Sequence, residues 1–243
     1  MASARGTLLH WHAEIHLNGG QVAHPHSPEF SMFLAVLDVL QQHLGLRPWR
    51  TEVSLFHVGL CLAGQADALF VDARGDIVIL DWKRTQCIRF DNPFRSMKEP
   101  LDHLPDANGW YYGLQLNVYR YMLETEYGLH VSAMFLGQVH PCLSRAKLIR
   151  VPCMREELEL IVEDQIHRGE AVSPALPDAT FALPSDDKMC VAPIARSCEC
   201  EFARSIINSF LFCPFALCSA LSLIAYLYRC ARTPGSRGRD VLG

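Results

Sequence analysis

The sequence predicts a mixed α/β domain, and three observations carry that prediction. From Gly64 to Lys83 the apolar residues alternate with a period of two and are interrupted by a turn, the signature of paired strands. Segments of helical apolar spacing lie on both sides of this stretch. Half of the 243 residues are hydrophobic and 20% are charged, enough apolar surface for one ordinary core with appendages.

The elements follow in order. Residues 6–18, GTLLHWHAEIHLN, predict a short helix capped by Thr7 and ended by Asn18-Gly19-Gly20, with Leu8, Trp11 and Ile15 toward the core. His10 and Glu14 stand at i and i+4, where an imidazole can simply bond its helical neighbour. His12, His16, His24 and His26 carry no distinguishing signal. Ser27 and Pro28 start a second helix through Phe30, Phe33, Leu34, Leu37 and Leu40 to Gly45. Trp49–Val58 has strand character and contains Glu52, whose place in a strand allows a ligand, a supporting partner or a solvent-facing residue.

The Gly64–Lys83 hairpin turns at Ala73-Arg74-Gly75, where Gly75 can take the positive φ of a three-residue loop. Alternation places Ile77, Ile79, Asp81 and Lys83 on one face and Val78, Leu80 and Trp82 on the other. The loop length sets Asp67 across from Asp81. Two carboxylates and an ammonium then meet at the end of an apolar hairpin. Like charges side by side are costly without compensation, and a divalent cation with oxygen ligands supplies it. A solvated surface Asp–Lys pair is the plain alternative.

Residues 84–108 form a long connection in which Arg84, Arg89, Arg95 and Lys98 are concentrated, together with Phe90 and Phe94. A basic, aromatic loop of that length can follow a phosphate backbone, or its arginines can pair with Asp91, Asp102 and Asp106. A long helix capped by Asn108 and ended by Gly128 puts Gln115 and Tyr119 on one face. Val131–His140 and Ala146–Val151 read as strands, and Glu156–Arg168 as a charged helix whose acidic face is solvated.

Composition then changes. Residues 1–189 carry 16 Lys and Arg against 23 Asp and Glu, whereas residues 190–243 carry 6 against 3. The expected organisation is a domain at 1–172, a proline-rich linker at 173–189, and a cysteine-rich hydrophobic extension at 190–243. Six of the ten cysteines fall in that extension, without the paired spacing of a zinc site. With no secretory signal before Gly6, an intracellular, reducing compartment is expected; nucleus, mitochondrion and cytoplasm are not distinguished. Residues 206–228 are free of charge, a candidate tail anchor or membrane contact.

Taken together, GTLLHxxxE (Gly6–Glu14), GQADAL (Gly64–Leu69), DWK (Asp81–Lys83) and QxxxY (Gln115–Tyr119) resemble the PD-(D/E)XK nuclease superfamily, particularly its RecB-like exonuclease branch. The resemblance covers about residues 6–168. It implies a restriction-endonuclease-like αβββαβ core, a mixed central sheet flanked by helices, and Mg²⁺- or Mn²⁺-dependent hydrolysis of DNA phosphodiesters. It implies that His10, Asp67, Asp81 and the Trp82 carbonyl bind metal. Lys83 is similar to the lysine that activates water, and Glu52 to the acidic residue before the hairpin. Gln115 and Tyr119 resemble a helix motif that contacts DNA and supports that lysine, with Arg84 and Arg89 as further DNA contacts. Asp81 stands where many relatives have Glu. No cysteine precedes Cys61, so the iron–sulfur cluster of some relatives is not expected. The expected partner is DNA, single-stranded or end-containing, with no sign of a specific protein partner. A DNA-binding module that keeps the nuclease fold without catalysis is the alternative.

Overall fold

A computed structural model describes residues 2–167. The linker, the cysteine-rich extension and the apolar stretch at 206–228 lie outside the described residues. Among the described residues, no helix is long and apolar enough to cross a membrane.

The chain runs α1 (Ala2–Leu17), α2 (Pro28–Asp38) with a π-helical turn at Val39–His43, β1 (Arg47–His57), β2 (Leu62–Val71), β3 (Ile77–Arg84), α3 (Asn108–Thr125), β4 (Val131–Val139), β5 (Lys147–Arg150) and α4 (Arg155–His167). The five strands form one sheet in sequence order. Only β3 and β4 are parallel; the other neighbours are antiparallel, so the sheet is mixed. A parallel step needs a crossover, and α3 provides it.

The alternation expected of β3 holds. Ile77 and Ile79 join the core under α3, with Leu116, Tyr119, Met122 and Leu123. Val78, Leu80 and Trp82 join the core on the opposite face, with Phe30, Phe33, Leu37 and Leu40 of the α2 segment. Helices therefore cover both faces of the sheet. Gly75 turns the hairpin at φ +90°, while the Asp72 N–H donates to Asp76 O and the Gly75 N–H to Asp72 O. Ser27 caps α2 as expected, its Oγ accepting from the Phe30 N–H.

Two local expectations are corrected. Helix α1 begins at Ala2, so Thr7 lies inside it and is not its cap. Its buried stripe is Leu9, His12 and Ala13, while Leu8 and Trp11 are exposed. The helix packs on α2 and the sheet, and this placement decides which stripe is covered. His12 sits among the rings of Trp11, His24 and Phe30. Burial, aided by His24, pushes its pKa down and favours the neutral imidazole. Asn108 likewise opens α3 without capping it, the cap residue being Ala107. Its side chain instead accepts from the Arg89 N–H and donates to Cys87 O, tying the long connection to the helix.

That connection is not simply solvated. Met97, Leu101 and Leu104 form a small third core with Leu114, Met154 and Ile161. Phe90 meets Trp110 edge to face at 5.4 Å. A Cβ on Gly109 would come within 2.5 Å of Arg89 O, so glycine allows this close approach.

Candidate metal and catalytic site

The β2–β3 ladder pairs Val71 with Ile77 and continues to Ala68 with Leu80. Two residues beyond the end of that ladder, the Trp82 N–H donates to a side chain, Asp67 Oδ2, at 2.7 Å. The Asp67 carboxylate is fixed by this bond. Its other oxygen lies 3.2 Å from His10 Nδ1, brought in by α1. Helix and hairpin meet here although 57 positions separate the two residues in sequence.

Asp81, across from Asp67, is buried, and its Oδ2 lies 2.7 Å from Lys83 Nζ. Lys83 also donates to Gln115 Oε1 at 3.0 Å. Gln115 Nε2 in turn donates to the Tyr119 hydroxyl at 2.7 Å. Gln115 and Tyr119 are both buried, so their contacts run inward to the lysine. The Tyr119 ring lies so close to β2 that a Cβ on Gly64 would fall 2.3 Å from Cε1. Glycine at the start of GQADAL is therefore the clearance that lets α3 deliver Gln115 to Lys83.

Glu52 joins from β1. It holds a left-handed conformation, φ +49°, inside a strand, and its Oε2 accepts from Gln65 Nε2 at 2.6 Å. A non-glycine residue in that region is strained, and such strain persists where surrounding contacts impose it. Ligand atoms of His10, Glu52 and Asp67 all lie within 4.8 Å of one another.

Electrostatics follow from this crowding. Burial works against a charged His10, but the carboxylate of Asp67, with help from Asp81 and Glu52, raises its pKa to about 9. Burial would also raise Asp67, yet His10, Lys83 and the Trp82 N–H hold it below the usual carboxylate range. Burial and the neighbouring Asp67 push Asp81 up to about 6, against the pull of Lys83 and His10. Burial and Asp67 push Glu52 up to about 7. Lys83 stays an ammonium, because Asp81 and Asp67 outweigh its desolvation and raise its pKa. Burial, then the Asp81 charge, raises the Tyr119 phenol, which stays neutral.

Two carboxylates, Glu52 and Asp67, and the His10 imidazole come within ligand reach of one another, with Asp81 beside them and held by Lys83; burial first, and then Asp67, drives Glu52 and Asp81 toward neutrality. Oxygen-rich donors with one nitrogen suit a hard divalent cation such as Mg²⁺ or Mn²⁺. A cation there would offset the burial and the carboxylate repulsion that together raise Asp81 and Glu52. The residues present therefore fit a metal.

Of the other expected residues, Trp82 joins this cluster through its bond to Asp67, while the two arginines are engaged elsewhere. Trp82 contributes its N–H, while its indole is buried with its ring 4.8 Å from that of Phe33. Arg84 is committed to Glu29, with Nε and Nη2 both donating to one carboxylate oxygen. Arg89 is exposed on the connection. Two residues were missed in the sequence. Tyr112 places its ring 4.7 Å from Lys83 Nζ, and Gln65 holds Glu52. Tyr112 lies one turn before Gln115, so the face carrying Gln115 and Tyr119 contained the signal.

No protein-family model matches the chain, and no curated protein matches it. Among solved structures, it is similar to SSO0001 at 19% identity and a TM-score of 0.28 over 56% of this chain, spanning 55% of that one. It is also similar to a candidate exonuclease from Eubacterium rectale at 13% identity and a TM-score of 0.44, over 75% of this chain and 77% of that one. Both likenesses are partial.

Proposed function

We propose that this chain is a metal-dependent nuclease of the PD-(D/E)XK type that hydrolyses DNA phosphodiester bonds, most simply as an exonuclease. One observation carries the reading: Asp67, Asp81 and Lys83 converge with His10, on a lysine braced by Gln115. His10, Asp67 and Asp81 would hold Mg²⁺ or Mn²⁺, with Glu52 and the Trp82 carbonyl as further donors. Such an ion, when bound, polarises the phosphate and lowers the pKa of water.

The chain's own residues supply the rest. Lys83 is an ammonium and donates only, so it orients the attacking water and stabilises charge developing on the phosphate oxygens. Gln115 fixes the lysine, and Tyr119 fixes Gln115. Arg84 has no part in this reading, because its charge is already spent on Glu29.

The test uses the full chain on end-labelled single- and double-stranded DNA with Mg²⁺ or Mn²⁺. Cleavage is expected, and is expected to vanish with a chelator and in Asp81→Ala and Lys83→Ala. Undiminished cleavage in either variant defeats the mechanism. DNA binding without cleavage in any divalent metal favours the catalytically silent module.

A further inference from the structure

The long connection holds two phenylalanines with opposite fates. Phe90 is accounted for by Trp110, whose indole Nε1 also donates to Phe90 O at 2.8 Å. Phe94 is 91% exposed. It is nevertheless not on a loose segment. The Phe94 N–H donates to Asn92 Oδ1, and Asn92 Nδ2 donates to Asp106 O at 2.7 Å. On the other side, the Asp106 N–H donates to Arg95 O, Ser96 bridges Pro105, and the Met97 N–H donates to Leu104 O. Met97 and Leu104 are buried below. The backbone is therefore tied down on both sides of a ring that folding leaves in water.

The ring's location narrows its purpose. The connection begins at the strand that carries Asp81 and Lys83 and ends at the helix that carries Tyr112 and Gln115. Asp106, to which Asn92 and Arg95 are tied, accepts from the Tyr111 hydroxyl at 2.9 Å, and Tyr112 lies over Lys83. Phe94 is thus tied, through Asp106 and Tyr111, to the first turns of the helix whose Tyr112 ring lies 4.7 Å from Lys83 Nζ. Within five residues of it along the chain, Arg89, Arg95 and Lys98 are exposed, as are two acids, Asp91 and Glu99.

We infer that Phe94 is a stacking platform for an unpaired base, flanked by Arg89 and Arg95 on the strand's phosphates, so that the site draws single-stranded nucleic acid. This rests on the nuclease reading for the substrate's class. A single ring with neighbouring guanidiniums suits a base and its phosphates, since every base offers a π-face and guanidinium pairs with phosphate. Bases inside a duplex are already stacked on both faces, so an unpaired strand or frayed end is the form this ring can take.

The experiment measures anisotropy of a fluorescein-labelled oligothymidylate and of a closed duplex without ends, titrated with the full chain in a chelator. Phe94→Ala is expected to bind oligothymidylate about 5–150-fold more weakly, the effect of losing one base–aromatic stack, with duplex binding changed far less. Phe94→Trp is expected to retain the affinity, and its added fluorescence to be quenched by oligothymidylate. Cleavage of a single strand by Phe94→Ala should show a raised KM more than a lowered kcat. Wild-type affinity in Phe94→Ala overturns the inference, and leaves the nuclease reading standing if the wild type cleaves. Binding that depends on Phe94 in a protein that never cleaves sinks the nuclease reading and keeps this one. A wild type that binds no nucleic acid sinks both.

Discussion

Replacing Lys83 by Met removes the cation that neutralises a buried carboxylate. Asp81 is 1% exposed, and its ion-pair partner is the Lys83 ammonium at 2.7 Å. Breaking a buried pair on one side costs about 3–5 kcal/mol. Here the low end applies near neutral pH, because Asp81 already sits at about 6 and can take up a proton instead. We therefore expect a loss of about 3 kcal/mol at pH 7.5, or a Tm lower by about 6–12 °C for a domain of this size. At pH 5 the carboxyl is protonated and needs no counterion. What remains is the lost hydrogen bond to Gln115 Oε1, about 1 kcal/mol and about 2–4 °C. The sign is fixed by linkage: with its folded pKa raised above the unfolded value, Asp81 contributes stability that falls as pH rises from about 4 through its folded pKa. The assay is thermal unfolding by circular dichroism, in a chelator, at the two pH values, with Asp81→Asn as the control that removes the titrating group. A defect of equal size at both pH values, or one under about 2 °C at pH 7.5, refutes the burial-and-pairing argument.

Gly64→Ala forces a methyl to within 2.3 Å of a Tyr119 ring carbon and should cost about 1–3 kcal/mol in urea unfolding, with Tyr119→Leu in the same chain recovering part of it. A strictly additive double variant would show that the two residues do not meet. Mn²⁺ at about a hundred times its Kd should add about 2.7 kcal/mol of stability, raising Tm by about 5–11 °C, and Asp67→Asn should abolish that rise; an equal rise in both proteins places the ion elsewhere. Without metal, the His10–Asp67 pair contributes stability that is fully present below pH 6.5 and is lost as pH climbs through about 9, since the folded pKa is raised. A urea midpoint that falls over that interval in wild type but not in His10→Gln is the expected record, and identical profiles would count against the pair. Tyr112→Phe should preserve cleavage, because the ring face over Lys83 remains, whereas Tyr112→Leu should reduce kcat; equal rates in the two would remove Tyr112 from the site.

The sequence by itself determined the hairpin and much of its chemistry. A period of two sends Asp81 and Lys83 to the face of Ile77 and Ile79, and no tertiary contact can change that without a register slip. Gly75 and Ser27 were legible for the same reason, since turn and cap preferences are set within a few residues. The likeness of four short motifs singled out His10, Gln115 and Tyr119, which alternation and spacing alone would have left as ordinary helix residues.

Tertiary structure decided what these local rules cannot reach. Two neighbouring stripes of α1 were available for burial, and packing chose Leu9, His12 and Ala13 over the more apolar Leu8 and Trp11. Arg84 looked like one charge in a basic run until Glu29, 55 residues earlier, claimed it. The strained backbone at Glu52, the clearance at Gly64 and the ring of Tyr112 over Lys83 arise only where α3 and β1 close around the hairpin. Pairings across long stretches of chain are chosen by how elements fit one another, and that fit is a property of the assembled layers rather than of any short segment.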